Sequence, residues 1–371
     1  MADKNSTVVT VTPSVLTNIL DNTLFSIKSL TPFIWGGPGI GKSSIVKSLA
    51  EKNKYNFVDI RLSMMDPVSL MGVMVPNIAE GTSKWLPPSI FNNDVPTLYF
   101  FDELNSAPPS IQAAAYQIIL DRKIGQHSLK QTDLVVAAGN NVNDRGVTFK
   151  MPAPLANRFI HLNLCASFDD FNEYAIKNRL HKHVVGYLNY QKGDLYNMPS
   201  CSEVKGFPTP RSWEFVSKIL YKADETQISS SNLLPMIAGA VGEGVAYKFI
   251  SYRKVAESIV NVNEIIEGKI KVKEMKSSNI DETYALVMAL CYSLAEYYDA
   301  YKRNKLQKDL YDKYCDNFIG FLMTNEIQPE MVIMAARYVL AVFDIEINVD
   351  LPNWDKFFNK YSRSIREAFT I

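Results

Sequence analysis

The stretch FIWGGPGIGKSS, Phe33 to Ser44, sets Gly36, Gly37, Pro38, Gly39, Ile40 and Gly41 ahead of Lys42, Ser43 and Ser44. Gly36, four residues, then Gly41, Lys42 and Ser43 satisfy the phosphate-loop pattern G-x-x-x-x-G-K-[ST]. Glycines let backbone N–H groups turn inward around phosphate oxygens. A helix that follows adds the positive end of its dipole. In such a loop Lys42 reaches the β- and γ-phosphates and the Ser43 hydroxyl ligates Mg2+. All nine residues from Gly36 to Ser44 are therefore read as nucleotide-phosphate-binding, in a loop that by itself suits a kinase, a GTPase or an ATPase. The alternative, a glycine turn that matches by chance, lacks the flanking elements seen here, an apolar run at Pro32 to Trp35 and a helical run at Ser43 to Lys52.

Four further groups complete a hydrolytic set. TLYFFDE, Thr97 to Glu103, is an apolar run ending in two carboxylates. Asp102 at its tip can hold Mg2+, and Glu103 can reach the water that attacks the γ-phosphate. A small-molecule kinase does not need the second carboxylate, because its nucleophile arrives with the substrate, so the pair favours hydrolysis. LVVAAGNN, Leu134 to Asn141, ends in amides that can orient water and phosphate without competing for the proton. Asn140 is the candidate and Asn141 its alternative. PAPLANRF places Arg158 before another apolar run, where an arginine at a subunit edge can neutralise transition-state charge in a neighbour's site. Arg145 is a weaker alternative. In PTPRSWEF, Arg211 opens a helix from which it can touch the γ-phosphate.

The elements that must position these groups follow from periodicity. Up to about Ala166, β-rich runs alternate with helical patterns, the signature of an α/β layered fold. Strands are predicted at Phe33 to Trp35, Phe57 to Leu62, Leu98 to Phe101, Leu134 to Ala138 and Phe159 to Leu164, a five-stranded parallel sheet. From Phe168 helical periodicity takes over, with helices predicted at Asp281 to Arg303, Pro329 to Phe343 and Trp354 to Phe369. At 371 residues the chain exceeds one hydrophobic core.

Bulk composition narrows the partners. Lys plus Arg and Asp plus Glu both number 39, so no basic excess favours nucleic acid or an anionic membrane. The start lacks an apolar signal core and no long uninterrupted apolar run occurs, which reads as soluble, intracellular and cytoplasmic, with no membrane partner. Cys165, Cys201, Cys291 and Cys315 share no metal-ligand spacing and read as reduced thiols. His181 and His183 read as a surface helix rather than a metal site. The tyrosines of YSLAEYYDAYKRNK, Tyr292 to Lys305, read as a packed face with a solvated edge rather than a base-stacking surface.

Taken as an ordered set, GGPGIGKS, DPVSLMG, YFFDELNSAP, VAAGNN, LANRF and TPRSWEF resemble the AAA+ ATPases, and within them the MoxR-like branch. The likeness spans roughly residues 33 to 220. It implies a P-loop NTPase αβα sandwich over residues 1–166 and a helical lid over 167–245; the α-helical C-terminal extension over 246–371 departs from the family pattern, being longer than a minimal lid. It also implies that Gly36 to Ser44 act as Walker A, Asp102 and Glu103 as Walker B, Asn140 as sensor 1, Arg158 as a trans-acting arginine finger and Arg211 as sensor 2. Such proteins work as ring oligomers, commonly hexamers, that use ATP and Mg2+ to remodel partner proteins, often with a separate von Willebrand factor A-domain protein. Met64 to Pro96 matches the position of a family insertion that can face the pore or a partner, although its Met and Val content reads as core. Two other readings keep the nucleotide site: a DNA-directed motor subunit of a restriction or replication complex, and a nucleotide-gated scaffold.

Overall fold

Apolar runs without polar alternation are stable as strands when both faces are covered, as happens in parallel sheets between helices. In the computed structural model, described for residues 9–140, 149, 151–198, 206–226, 228, 230–258, 262–269, 280–324 and 327–369, these runs take that place. The strands are β1 (Thr10–Val11), β2 (Pro32–Trp35), β3 (Asn56–Arg61), β4 (Val73–Asn77), β5 (Thr82–Leu86), β6 (Thr97–Asp102), β7 (Lys123–Ile124), β8 (His127–Ser128), β9 (Leu134–Gly139) and β10 (Ile160–Leu164). The main sheet runs β1-β10-β2-β9-β6-β3 with every neighbouring pair parallel. All five predicted strands are present. The sheet has six strands rather than five, because the two-residue β1 joins its edge through Val11 opposite Leu164, and two residues carry no readable periodicity.

Register decides where the chemistry collects. Trp35 lies opposite Gly139, Phe101 opposite Ala137, and Arg61 opposite Asp102, so the carboxyl ends of β2, β9, β6 and β3 finish side by side. The order of connection reverses at β2, which sits between β9 and β10, and in open α/β sheets ligands bind outside the carboxyl ends at such a reversal. Every residue of β9 is buried, as is every residue of β6 except its last, Asp102.

Residues 1–171 with Thr209–Arg211 form one compact unit, and residues 172–208 with 212–371 form another. Helices α1 (Pro13–Thr23), α2 (Lys42–Lys52), α3 (Pro67–Met71), α4 (Pro109–Asp121) and α5 (Ala153–Ala156) belong to the first. Then follow α6 (Phe168–Lys177), α7 (Lys182–Tyr190), α8 (Pro210–Thr226), α9 (Ser230–Val241), α10 (Glu243–Ser258), α11 (Val262–Ile266), α12 (Ile280–Lys302), α13 (Lys308–Leu322), α14 (Pro329–Arg337) and α15 (Trp354–Phe369). The boundary read after residue 245 falls inside α10, a continuous helix. Pro329 occupies the first turn of α14, and the helix continues into a π-helical turn at Tyr338–Val342. Tyr298 and Tyr311 are buried in the second unit's core, with Tyr301 stacked on Tyr311 at 4.9 Å, as the aromatic spacing implied.

One local reading is overturned and another holds only in part. His181 is 2% exposed, not on a surface helix: it caps α7 and its Nε2 lies 2.9 Å from Asp224 Oδ2. The segment Met64 to Pro96 is core only in part: Leu70 and Phe91 are buried with Met65 and Met71 packed against that cluster, whereas the antiparallel β4–β5 hairpin leaves Met74 and Ile78 exposed, and Met64 is exposed too. Alternation cannot reveal burial where neither face of a ribbon is covered. Among described residues Cys291 and Cys315 are buried free thiols and Cys165 is a half-buried one; Cys201 lies outside them. No helix among the described residues is long and apolar enough to cross a membrane.

Candidate active site

The phosphate loop leaves β2 with Gly36 N–H donating to Gly139 O at 3.3 Å, which ties it to the end of β9. Gly39 needs its missing side chain twice over. Its φ is +73°, and a Cβ there would stand 2.8 Å from Thr209 Oγ1. Gly41, at φ +99°, caps α2 in a left-handed conformation that glycine adopts without strain, and a Cβ on it would meet no atom within 4 Å. The helix starts at Lys42, so Ser43 and Ser44 stand in its first turn, where N–H groups lack intrahelical acceptors. Lys42 is buried and its Nζ donates to Gly36 O (2.6 Å), Gly37 O (3.0 Å) and Asn140 Oδ1 (3.1 Å). Lysine and predicted sensor amide, 98 positions apart in the chain, are thus in contact.

The acidic pair ends β6. Burial pushes the Asp102 carboxyl above the ordinary carboxylate range, opposed by the Lys42 charge and by the Glu103 N–H, which donates to Asp102 Oδ1 at 2.9 Å. Glu103 turns the chain at φ +58°, a left-handed conformation rare for a side-chain-bearing residue and concentrated at functional sites. Ser63 Oγ donates to Glu103 Oε2. Because Arg61 pairs with Asp102, the residues just past each strand end, Ser63 and Glu103, come together.

Asn105 performs a task that the sequence reading did not assign. It is buried, its Nδ2 donates to Asn140 O at 2.7 Å, and its Oδ1 accepts from Asn140 N–H at 3.1 Å. The amide imitates a neighbouring strand and fixes the Asn140 backbone just beyond β9. Gly139 makes room for it, since a Cβ there would stand 2.4 Å from Asn105 Oδ1. Asn105 lies within the DELNSAP run, so its presence was legible; its partner was not. Ser63 carried no signal short of the strand register.

The two arginines take different places. Arg211 N–H donates to Gly39 O at 3.2 Å, which fastens the start of α8 to the tip of the phosphate loop, and its side chain is exposed. Arg158 is exposed on the turn after α5 and pairs with Asp121 at 3.8 Å. Asn141 and Arg145 lie outside the described residues. A separate cleft of about 520 Å³ in the second unit, lined by His181, Tyr221, Asp224, Tyr292 and Asp299 among others, contains none of the predicted site residues.

Residues 32–161 match the model of the family described as "ATPase family associated with various cellular activities (AAA)". This segment is similar to AAA-type ATPase modules. It contains the loop, the acidic pair, Asn105, Asn140 and Arg158, whereas Arg211 falls beyond it. No curated protein matches the chain. Among solved structures, a presumptive ATPase from Cytophaga hutchinsonii is 15% identical, with 79% of this chain and 78% of that one covered and a TM-score of 0.30. The RuvB Holliday junction branch migration motor of Thermotoga maritima is 11% identical, with 75% and 80% covered and a TM-score of 0.35. A point mutant of that RuvB is 14% identical, with 79% and 92% covered and a TM-score of 0.36. At these scores the likenesses assign nothing to this chain, and the AAA-type reading rests on the family model and on the site.

Proposed function

We propose that the chain hydrolyses ATP with Mg2+ as a MoxR-like AAA+ motor in a ring oligomer, commonly a hexamer in that branch, and that turnover remodels or activates a partner protein such as a separate von Willebrand factor A-domain protein. The observation that carries the reading is the contact of Lys42 with Asn140 beside the paired carboxylates at the end of β6.

The residues present fit a magnesium nucleotide. Lys42 already bridges loop carbonyls, and Ser43 with Asp102 offers hard oxygen ligands of the kind Mg2+ accepts. A carboxyl that burial holds high, such as Asp102, gains most from a nearby cation. Bound Mg2+ would supply charge neutralisation across the β- and γ-phosphates. Loop N–H groups and Lys42 bind and orient the phosphates. Glu103 takes the proton of the attacking water, and Asn140 orders that water without accepting the proton. Arg211 adds positive charge from the loop tip. Arg158, whose exposed side chain makes a surface ion pair with Asp121, is the group proposed to serve a neighbouring subunit.

The test is Glu103→Gln. ATP binding is expected to stay within about threefold while turnover falls by roughly a hundredfold or more, the usual contribution of a general base. Partner activity that survives with turnover abolished would replace the motor reading with the nucleotide-gated scaffold. The same variant held in ATP is the bait for identifying the partner.

A further inference from the structure

Trp35, the last residue before the phosphate loop, donates its indole Nε1–H to His161 Nδ1 at 2.8 Å. His161 Nε2 lies 2.7 Å from the carbonyl of Ala156, which also accepts from Phe159 N–H at 3.1 Å. An indole nitrogen can only donate, so Nδ1 must accept, and the neutral imidazole then carries its proton on Nε2 and donates it to Ala156. The two bonds fix one tautomer and one ring orientation. Trp35 and His161 rings stack at 5.9 Å and 26°, and Phe33 stacks on Trp35 at 4.3 Å. Phe159, edge-on to Phe33 at 5.4 Å, closes the cluster.

Both ends of this chain of contacts reach residues of the proposed mechanism. Trp35 is bonded in sequence to Gly36, whose carbonyl accepts from Lys42. Ala156 ends α5, and the turn it begins carries Arg158, whose N–H donates to Leu155 O at 3.0 Å. We propose that His161 is a positioning residue that transmits the state of the phosphate loop, through Trp35, to the turn presenting Arg158 to the neighbouring subunit. The inference rests on the reading of Arg158 as a trans-acting group.

Phosphate entering the loop draws on the same backbone to which Trp35 is joined. A shift there is passed to the imidazole through a directional hydrogen bond and to Ala156 through a second one. The imidazole supplies one acceptor and one donor at a fixed separation, a pair that phenylalanine lacks and that glutamine retains. His161 lies at the surface, so its bonds contribute little to stability compared with buried ones, and their removal acts chiefly on the placement of Arg158.

Three variants of the full chain test this: His161→Phe, which keeps a ring and removes both bonds, His161→Gln, which keeps an acceptor and a donor, and Trp35→Phe, which removes only the indole donor. His161→Phe and Trp35→Phe are expected to lower kcat by roughly three- to tenfold, the scale of one or two neutral hydrogen bonds, with the dissociation constant of a fluorescent ATP analogue within about twofold of wild type. His161→Gln is expected to recover most of the loss. Mixing His161→Phe subunits with Lys42→Ala subunits, which keep a correctly held Arg158 but cannot turn over, should raise hydrolysis above the sum of the separate preparations. Mixtures of Arg158→Ala with Lys42→Ala provide the reference. Unchanged kcat in both ring variants, or a loss that lies in nucleotide affinity, overturns the inference. So does a His161→Phe mixture that fails where the Arg158→Ala mixture succeeds. Failure of the Arg158→Ala mixture with mixed assembly confirmed sinks the trans reading and this inference together, and a wild type without turnover sinks the hydrolytic reading itself.

Discussion

The two compact units bury polar groups for different ends. In the first, Lys42, Asp102, Asn105 and Asn140 gather where strands stop, and their bonds run to loop backbone and to one another. In the second, the buried Asp194 finds its partners within its own unit. Asp194 accepts from Tyr187 Oη and lies 3.4 Å from Lys248 Nζ, its carbonyl accepts from Trp213 Nε1 at 2.9 Å, and Tyr187, Trp213 and Phe249 pack ring on ring. Burying a polar group is costly without partners in either place. Partners gathered where strands stop mark a site, and partners that are all internal mark architecture.

The sharpest way to break this contrast is to remove one buried polar group from each unit. Asn105→Ala leaves the Asn140 N–H and carbonyl without their partner, a loss of about 2 kcal/mol by the usual cost of orphaned buried groups. Turnover is expected to fall at least tenfold, roughly what about 1.4 kcal/mol of lost transition-state stabilisation gives, because the sensor amide loses its fixed backbone. Asp194→Ala removes a hydrogen-bonded carboxylate in the helical unit and is expected to cost a similar amount of stability with kcat unchanged. Denaturant midpoints and steady-state kinetics on both variants decide the matter. Equal loss of turnover in the two would erase the distinction.

A smaller effect separates the units by pH. Burial, then the charge of His181, pushes the His183 imidazole down to about 3, and burial also lowers His181 against the pull of Asp224. Arg253 and Lys182 act in the same direction as burial on both rings. His183 Nδ1 is buried and has no hydrogen-bond partner. A histidine with a depressed folded pKa stays neutral in the fold while the unfolded chain takes up a proton below about pH 6.5, so stability declines as pH falls from there toward about 3. Between about pH 6.5 and 5 the decline from His183 amounts to roughly 1.5 kcal/mol. Thermal unfolding followed by circular dichroism should show that His183→Leu loses less stability over this interval than the wild type does. Identical pH slopes would mean that the ring is already open to protons in the fold.

Much of this arrangement was legible in the residues themselves. The glycine loop, the acidic pair and the three helices predicted near the end were readable because each depends on local spacing, and α15 begins and ends as predicted, whereas α13, between the first two, was not predicted. What escaped depends on register or on three-dimensional company. Ser63 meets Glu103 only because Arg61 pairs with Asp102, and Asn105 finds Asn140 across 35 positions. The pair His181 and His183 reads as a surface helix for want of neighbouring carboxylate or cysteine ligands in the sequence; His181 is instead buried and bonded to Ser217 and Asp224 on α8. The two-residue strand β1 needed the edge of β10 to exist at all.

The smallest expected effect bears on the β4–β5 hairpin, where composition suggested core and the fold shows a projecting ribbon. Its root is fixed: Trp85 Nε1 donates to Met71 O at 2.6 Å, and its ring lies so close to Gly125 that a Cβ there would stand 2.6 Å from Trp85 Nε1. Its tip is not covered, with Ile78 91% exposed. A side chain already in water has almost no transfer free energy to lose, so Ile78→Ser should change stability by under about 0.5 kcal/mol and leave basal ATP turnover as it was. Trp85→Ala, at the root, should cost about 2 kcal/mol or more through lost packing. Melting curves of the two single variants give the comparison directly. A loss near about 2 kcal/mol for Ile78→Ser would return the tip to the core and remove the apolar hairpin from the surfaces open to another protein, whereas a neutral result leaves its exposed apolar residues with no structural role inside the monomer.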